Sequence, residues 1–233
     1  MKVAIIPARG GSKRIKNKNI KTFCNKEIIG YSIEAIKKSA LFDRIIVSTD
    51  CPSIGEIALK FGAEVPFLRP EDIANDFATT REVVAHAKQW LENDGCTISY
   101  ICCIYATAPF ITHNDLIASF ELFSNTLDKQ FCFSVTEFEY SPFRSFTIED
   151  NYPQLLFPEH KQARSQDLVK IFHDAGQFYW SRINDDYRDE AMIDSKKTLV
   201  FPLPRYKVQD IDTLDDWQRA EAMYYALKTK NLV

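Results

Sequence analysis

Apolar positions recur along the first 136 residues in two alternating rhythms. Residues 2–6 form a short β-branched run that leads into a glycine-containing loop, and 44–48 (RIIVS) and 99–104 are mostly apolar. Short unbroken runs of this kind suit strands buried on both faces of a parallel sheet. Between them the spacing lengthens to that of a helix. In 28–38, Ile29, Ile33 and Ile36 share one face, and Lys37 and Lys38 stand at the end, where cations suit the helix dipole. Pro52 opens a helix over 52–61 that Gly62 stops. A short strand is predicted near 64–68, a helix over 79–93 stopped by Gly95, a helix over 114–124 and a strand over 131–136. This β-α repeat predicts the α/β class: a doubly wound, mostly parallel sheet with right-handed crossovers. In such sheets ligands bind beyond the carboxyl ends of the strands.

The rhythm breaks at about Glu137. From there to about Leu203 the chain is rich in aromatics and turn residues, with Pro142, Pro153, Pro158 and Pro202 among them. Residues 137–203 are therefore expected to be an inserted, smaller, partly β subdomain or arm, while 1–136 and 204–233 make the main α/β domain. Phe138, Tyr140, Phe143, Phe146, Tyr152 and Phe157 on such an arm would expose apolar surface on a monomer, which predicts a homodimer built through it. The α/β pattern returns over 213–228, a helix with Leu214, Trp217, Ala220, Tyr224 and Leu227 on one face.

Composition narrows the function classes. The 233 residues are 45% hydrophobic and 26% charged, the mix of a packed domain with an elaboration. With 29 basic against 32 acidic side chains the net charge is −3, so an anionic ligand must be held by a local cluster rather than by an overall basic surface. The longest weakly polar run, 100–111, is well short of the ~20 residues of a membrane span and contains Thr107 and Pro109. The apolar run 3–7 is too short for the core of a secretory signal, so a cytoplasmic location is expected. Six cysteines include no CxxC pair, which argues against a zinc or thioredoxin-like site; they read as reduced, mostly core residues.

Three segments carry candidate chemistry. In the loop after the first strand, Arg9, Lys13, Arg14, Lys16 and Lys18 surround Gly10, Gly11 and Ser12, with Asn19 following. Adjacent glycines admit close approach and can aim N–H donors at an anion, and the cations neutralise it, as a triphosphate requires. The spacing is neither GxxxxGK[ST] nor GxGxxG. A solvated basic loop is the plain alternative. The second segment is Gln209–Asp216, where Asp210 and Asp212 would face one side of an extended chain, as two hard oxygen ligands for Mg²⁺. Thr213 with Asp216 equally fits a helix capping box, so both readings stand at this point. The third segment holds Arg164, Gln166, His173 and Tyr179. A lone Arg is usually a surface residue, and Tyr179 in a strand is more often core than site.

Taken together, IPARGGSKRIKNKNIK, IIVSTD, FLRPEDIANDFATT, YATAPFI, ARSQDL, HDAGQFYW and VQDIDTLDDW resemble the cytidylyltransferases that make CMP-activated nonulosonic acids, in the right order over nearly the whole chain. The resemblance implies a nucleotide-diphospho-sugar transferase-like fold and a reaction of CTP with a sugar acid. Within the family, YATAPFI and RSQDL…HDAGQFYW are similar to the subgroup acting on pseudaminic acid. Sialic acid enzymes usually carry Arg where Ile111 stands, and Arg-Pro-Asn-Gly where His173–Gly176 stand. Lys16 stands where the family usually has Pro, so the fixed φ of that position is lost.

By this resemblance Arg9, Gly10, Gly11, Ser12, Lys13, Lys18 and Asn19 bind the nucleotide phosphates and Arg69 and Thr80 the cytosine. Asp210 and Asp212 hold Mg²⁺, and these two with Lys18 form the catalytic group. Arg164, Gln166, His173 and Tyr179 bind the sugar acid, Arg164 at its carboxylate. A role in flagellin glycosylation or surface polysaccharide synthesis follows from such a product. The same-class alternatives are activation of sialic acid or a keto-deoxy-octulosonate. The alternative from another class is a nucleotide-binding protein without catalysis, against which the paired aspartates argue.

Overall fold

The computed structural model describes residues 1–184 and 196–233. Its elements in chain order are β1 (Lys2–Pro7), β2 (Thr22–Phe23), β3 (Lys26–Glu27), α1 (Ile28–Ser39), β4 (Arg44–Ser48), α2 (Pro52–Phe61) and α3 (Thr80–Asn93). There follow β5 (Tyr100–Ile104), α4 (His113–Asn125), β6 (Phe131–Glu137), β7 (Phe146–Glu149), β8 (Tyr152–Leu155), β9 (Phe172–Arg182), β10 (Thr198–Pro202) and α5 (Leu214–Lys228).

One six-stranded sheet, in the order β10-β6-β9-β5-β1-β4, forms the centre. Neighbouring strands are parallel except that β9 runs antiparallel to both β5 and β6. Both faces are covered, and the strand alternation sorts the side chains between them. Ala4 and Ile6 of β1 pack with Ile29, Ile33 and Ile36 of α1 and with Ile54 and Ala58 of α2. Val3 and Ile5 point the other way, against Ala87 and Leu91 of α3. This is why β1 reads as an unbroken apolar run. A third cluster, Phe23, Tyr31, Phe110 and Trp217, seats α5 against the loops beside the sheet.

Helix ends follow local chemistry. Thr79, Thr112 and Thr213 each form a capping box, with Glu82, Asp115 and Asp216 respectively, satisfying the orphan N–H groups of the first turn. Gly62 ends α2 at φ 89°, a left-handed conformation that costs an L side chain strain.

The expected strand near 64–68 is reduced to two isolated parallel bridges, Ile46 with Glu64 and Thr49 with Leu68. The larger difference lies in the segment 137–203. Its later part is not separate from the main sheet: β9 is a central strand and β10 an edge strand. The long aromatic run of β9 is apolar because it is sandwiched between β5 and β6, with Phe178 and Trp180 fully buried. What does leave the sheet is 138–171, which holds the small β7–β8 hairpin; residues 185–195 of the expected arm lie outside the described residues. The hairpin turns on Asp150 and Asn151, both at positive φ, as a tight two-residue turn between antiparallel strands needs.

Candidate active site

The carboxyl ends of β1, β4, β5, β6 and β10 and the amino end of β9 face the same edge of the sheet, and two adjoining depressions open there. The first is a cleft of about 240 Å³ built around the loop after β1. Arg9, Ser12, Lys13, Lys18 and Asn19 line it from that loop, Arg69 and Thr80 from the opposite wall, and Asp212 from the segment before α5. All but Asp212, an expected metal ligand, are expected nucleotide ligands, and the loop, the opposite wall and the segment before α5 bring them together. Gly10 and Gly11 are not in its wall: the Gly10 N–H donates to Asp50 Oδ1 at 2.9 Å, and a Cβ at Gly10 would stand 2.9 Å from Cys51 Cβ. Gly10 thus serves the close approach of the loop to the β4 end.

Acidic side chains hold the cations of this cleft in place. Asp76 pairs with Arg9 Nη1 at 2.5 Å and with Lys13. The Lys13 ammonium, seconded by the Arg9 guanidinium, holds the Asp76 carboxyl below the usual carboxylate range. Asp212 pairs with Arg14 Nη1 at 2.8 Å and Lys18 Nζ at 3.3 Å, and Lys18 also donates to the Ile211 carbonyl at 2.7 Å. Asn19 is a positioning residue here, its Nδ2 donating to the Arg9 carbonyl at 2.9 Å. Arg69 is buried. Its Nε donates to Ser48 Oγ at 3.1 Å and its Nη2 to the Ser48 carbonyl, and burial lowers its pKa. A buried guanidinium so fixed presents its remaining donors in one direction.

The second depression is wider, about 940 Å³. His173 and Tyr179 line it, as expected, together with Asp174 and Gln177 of the same strand. Asp210 enters from the segment before α5, and the cations Arg205 and Arg219 complete its rim. Tyr179 Oη donates to the Asp174 carboxylate at 2.7 Å, its ring lies 5.4 Å from that of Tyr105, and burial pushes its pKa up. His173 Nδ1 lies 2.8 Å from the Asp174 carbonyl, and its ring centroid lies 4.6 Å from that of Phe138, the two rings tilted at 58°. Tyr105 and Thr107, from the loop after β5, line both depressions and join them. The Tyr105 hydroxyl lies 3.3 Å from Thr80 Oγ1.

Two expected sugar ligands are elsewhere. Arg164 caps a short helical turn of the arm, largely exposed, 3.7 Å from Asp167, and lines neither depression. Gln166 lines a separate groove of about 230 Å³, which shares Glu137, Glu139 and Arg205 with the wide pocket. Tyr105, Thr107 and Asp76 are site residues that reading by motif did not single out. All three lie inside quoted blocks, so the signal was present, and Tyr105 and Thr107 closely follow β5, where such folds place ligands.

Asp210 and Asp212 flank buried Ile211, so one carboxylate reaches each depression. The capping box of α5 uses Asp216 and Thr213, so neither carboxylate caps the helix, and that of Asp212 is paired with Arg14 and Lys18. Among the described residues no group of three or more His, Cys, Asp or Glu is arranged to hold a metal by itself. Two hard carboxylates do match Mg²⁺, which is commonly held by one or two carboxylates plus substrate phosphates.

This arrangement has counterparts among known proteins. A cytidylyltransferase family model matches residues 3–194. The pseudaminic acid cytidylyltransferase of Campylobacter jejuni serotype O:23/36 is 42% identical over 223 residues, covering 95% of each chain. The N-acylneuraminate cytidylyltransferase of Escherichia coli O18:K1:H7 is 28% identical over 94% of this chain and 51% of its own length. The solved structure of CMP:2-keto-3-deoxy-manno-octonic acid synthetase complexed with CTP superposes with a TM-score of 0.69 at 15% identity, covering 97% of this chain and 98% of that one, which speaks for the fold. The match of sequence over most of the chain, on a sheet whose carboxyl edge carries a basic cleft opening into a wider pocket, means that the chain belongs to the cytidylyltransferase family and is a nucleotidyltransferase.

Proposed function

We propose that the protein transfers CMP from CTP to pseudaminic acid, giving CMP-pseudaminic acid and pyrophosphate. The observation that carries this reading is the junction at Tyr105 and Thr107, where a basic cleft fit for a nucleotide meets a pocket wide enough for a nine-carbon sugar acid. The choice of pseudaminic acid rests on the 42% identity to an enzyme of that name, against 28% for one named for N-acylneuraminate.

In this reading the anomeric hydroxyl of the sugar attacks the α-phosphorus of CTP. A sugar O–P bond forms as the bond from the α-phosphorus to the bridging oxygen of pyrophosphate breaks. Arg9 and Lys13 leave Asp76 to hold the departing pyrophosphate, a task of charge stabilisation and positioning. Arg69 and Thr80 recognise the base from the far wall of the cleft. Asp210 and Asp212 would hold Mg²⁺, which supplies charge neutralisation at the phosphates when bound. Lys18 keeps Asp212 oriented through its ion pair. His173 and Tyr179 shape the sugar pocket.

The exposed hairpin and its neighbours support a homodimer. Ile148, Tyr152 and Val169 are each more than two-thirds exposed, a concentration of apolar surface that a second copy would cover. The reading assigns Arg164 to the sugar carboxylate, and Gln166 to the sugar acid, through an arm contributed in that dimer. No helix among the described residues is long and apolar enough to cross a membrane. A cytoplasmic enzyme supplying an activated sugar for flagellin glycosylation or surface polysaccharide is the accompanying proposal. The test is pyrophosphate release from CTP with Mg²⁺ and a panel of sugar acids. Release with pseudaminic acid and little with the others is expected; release with another acid instead would overturn the substrate assignment, and release with none would overturn the activity.

A further inference from the structure

Gln177 lies on β9 between Ala175 and Tyr179, on the face that lines the wide pocket, while Phe178 and Trp180 point into the core. It is only 3% exposed. Its backbone carbonyl accepts from the Tyr105 N–H at 3.0 Å, and its side-chain Nε2 donates to the Lys207 carbonyl at 2.6 Å. That donation fixes which way the amide faces, since the flipped amide would set oxygen against the Lys207 carbonyl oxygen. Lys207 is itself held: its Nζ pairs with Asp115 at 3.0 Å, and Asp115 belongs to the capping box of α4.

The amide oxygen of Gln177 is left over. It is buried and has no hydrogen-bond partner among the described residues. Native chains rarely leave a buried side-chain acceptor unpaired, and such exceptions call for an explanation. Here the residue borders the pocket assigned to the sugar acid, beside the junction with the nucleotide cleft at Tyr105. From the rigidly held amide, the unused acceptor and the pocket it borders, we infer that Gln177 is a specificity-determining residue whose Oε1 accepts a hydrogen bond from a neutral N–H or O–H donor of the sugar acid.

A site built to bond a donor rejects analogues that lack it, because the buried acceptor is then left unpaired. This inference rests on the reading of the wide pocket as the sugar-acid site. Its partner is a donor rather than the sugar's carboxylate, since an amide oxygen would repel that group.

The experiment compares wild type with Gln177→Met and Gln177→Glu, measuring KM for CTP and for whichever sugar acid the wild-type enzyme turns over. The near-isosteric Met removes both hydrogen-bonding groups, whereas Glu retains oxygens. Gln177→Met is expected to raise the sugar KM by about tenfold, the scale of one lost neutral hydrogen bond, with the CTP KM within twofold of wild type. Gln177→Glu is expected to change the sugar KM far more than the CTP KM. A sugar KM within twofold of wild type in folded Gln177→Met overturns the inference. Where Met does not yield folded protein, Glu decides: equal changes in both KM values overturn it. Repeating the Met comparison with an N-acylated acid and with one bearing only hydroxyls separates the two donors. An effect with the first alone assigns an amide N–H, and an effect with both assigns a hydroxyl. Wild-type enzyme that turns over no sugar acid with CTP sinks the functional reading itself, an outcome distinct from unchanged kinetics in the variants.

Discussion

The basic cleft and the wide pocket meet at Tyr105 and Thr107 yet are built on opposite plans. In the cleft, a single loop, 9–19, supplies Arg9, Ser12, Lys13, Arg14, Lys18 and Asn19, and the cations among them are neutralised by Asp76 and Asp212 of the same chain. In the pocket, the wall comes from the ends of β5, β6 and β9, from the segment after β10 and from α5, and a buried acceptor on Gln177 has no partner among the described residues. The first plan suits a ligand that is always the same, a nucleoside triphosphate, recognised by charge. The second suits a ligand that differs from one relative to the next, because each wall segment can vary without disturbing the sheet that carries it.

Breaking the shared boundary should have the largest effect. Asp210→Asn and Asp212→Asn each keep side-chain shape and remove charge, and turnover at saturating Mg²⁺ is expected to fall by ~10² or more, the scale of one lost electrostatic stabiliser. Near-normal turnover of both variants would show that the aspartates merely order the approach to α5.

Next come changes confined to one side. Arg9→Ala is expected to raise the CTP KM by roughly tenfold or more while leaving the sugar KM near wild type, since charge-assisted phosphate contacts are lost on the nucleotide side alone. Arg164→Lys should do the reverse, weakening the sugar acid by roughly tenfold or more and sparing CTP, because a point charge replaces a guanidinium that matches a carboxylate's two oxygens. Because Arg164 stands away from the pocket of its own chain, its effect should vanish in a variant that no longer dimerises. Light scattering measures that state directly: a mass near twice 26.9 kDa is expected for wild type, and a mass near 26.9 kDa would remove the route by which Arg164 acts.

The smallest effect is expected at Asp76. Its carboxylate competes with phosphate for Arg9 and Lys13, so Asp76→Asn should lower the CTP KM a few-fold. Its pKa is already depressed, so the wild-type pairing is fully formed above the ordinary carboxylate range and weakens only as pH falls toward the lowered value. The gap between wild type and Asp76→Asn should therefore be flat from about pH 6 to 8. The core beneath both sites offers a control. Burial pushes the Cys103 and Cys132 thiols up to about 12, and Cys102 is raised as well. At pH 8 these three should resist thiol reagents in the native protein and react on unfolding.

The two plans also explain what could be read from the chain. The strands β1, β4, β5 and β6 and the helices between them were legible because a parallel sheet covered on both faces demands unbroken apolar runs separated by amphipathic spacing. The basic side of the nucleotide cleft was legible because its residues between Arg9 and Asn19 are nearly contiguous, so one loop carried the signal, whereas Arg69 and Thr80 on the opposite wall were placed by resemblance. The role of β9 was not: its aromatics and the turn residues around it looked like an insert, since nothing local says that a strand will pair antiparallel between two strands distant in sequence. The pocket wall was legible only in part for the same reason. Gln177 sits inside HDAGQFYW but is marked as a candidate by its burial and by the Lys207 carbonyl, which lies 30 residues on. Arg164 was placed by resemblance, and the monomer does not bring it to the pocket. The short strand foreseen near 64–68 is two bridges, because Pro66 in its middle has no N–H for a ladder.

The most direct test of the account is competition between pseudaminic acid and sialic acid for limiting enzyme, with saturating CTP and Mg²⁺. The wide pocket, carrying His173-Asp174-Ala175 and the Gln177 acceptor, is expected to turn over pseudaminic acid in strong preference, seen as CMP-pseudaminic acid accumulating while sialic acid remains. Equal conversion of the two acids would contradict the assignment of specificity to this pocket and leave only the cytidylyltransferase family standing.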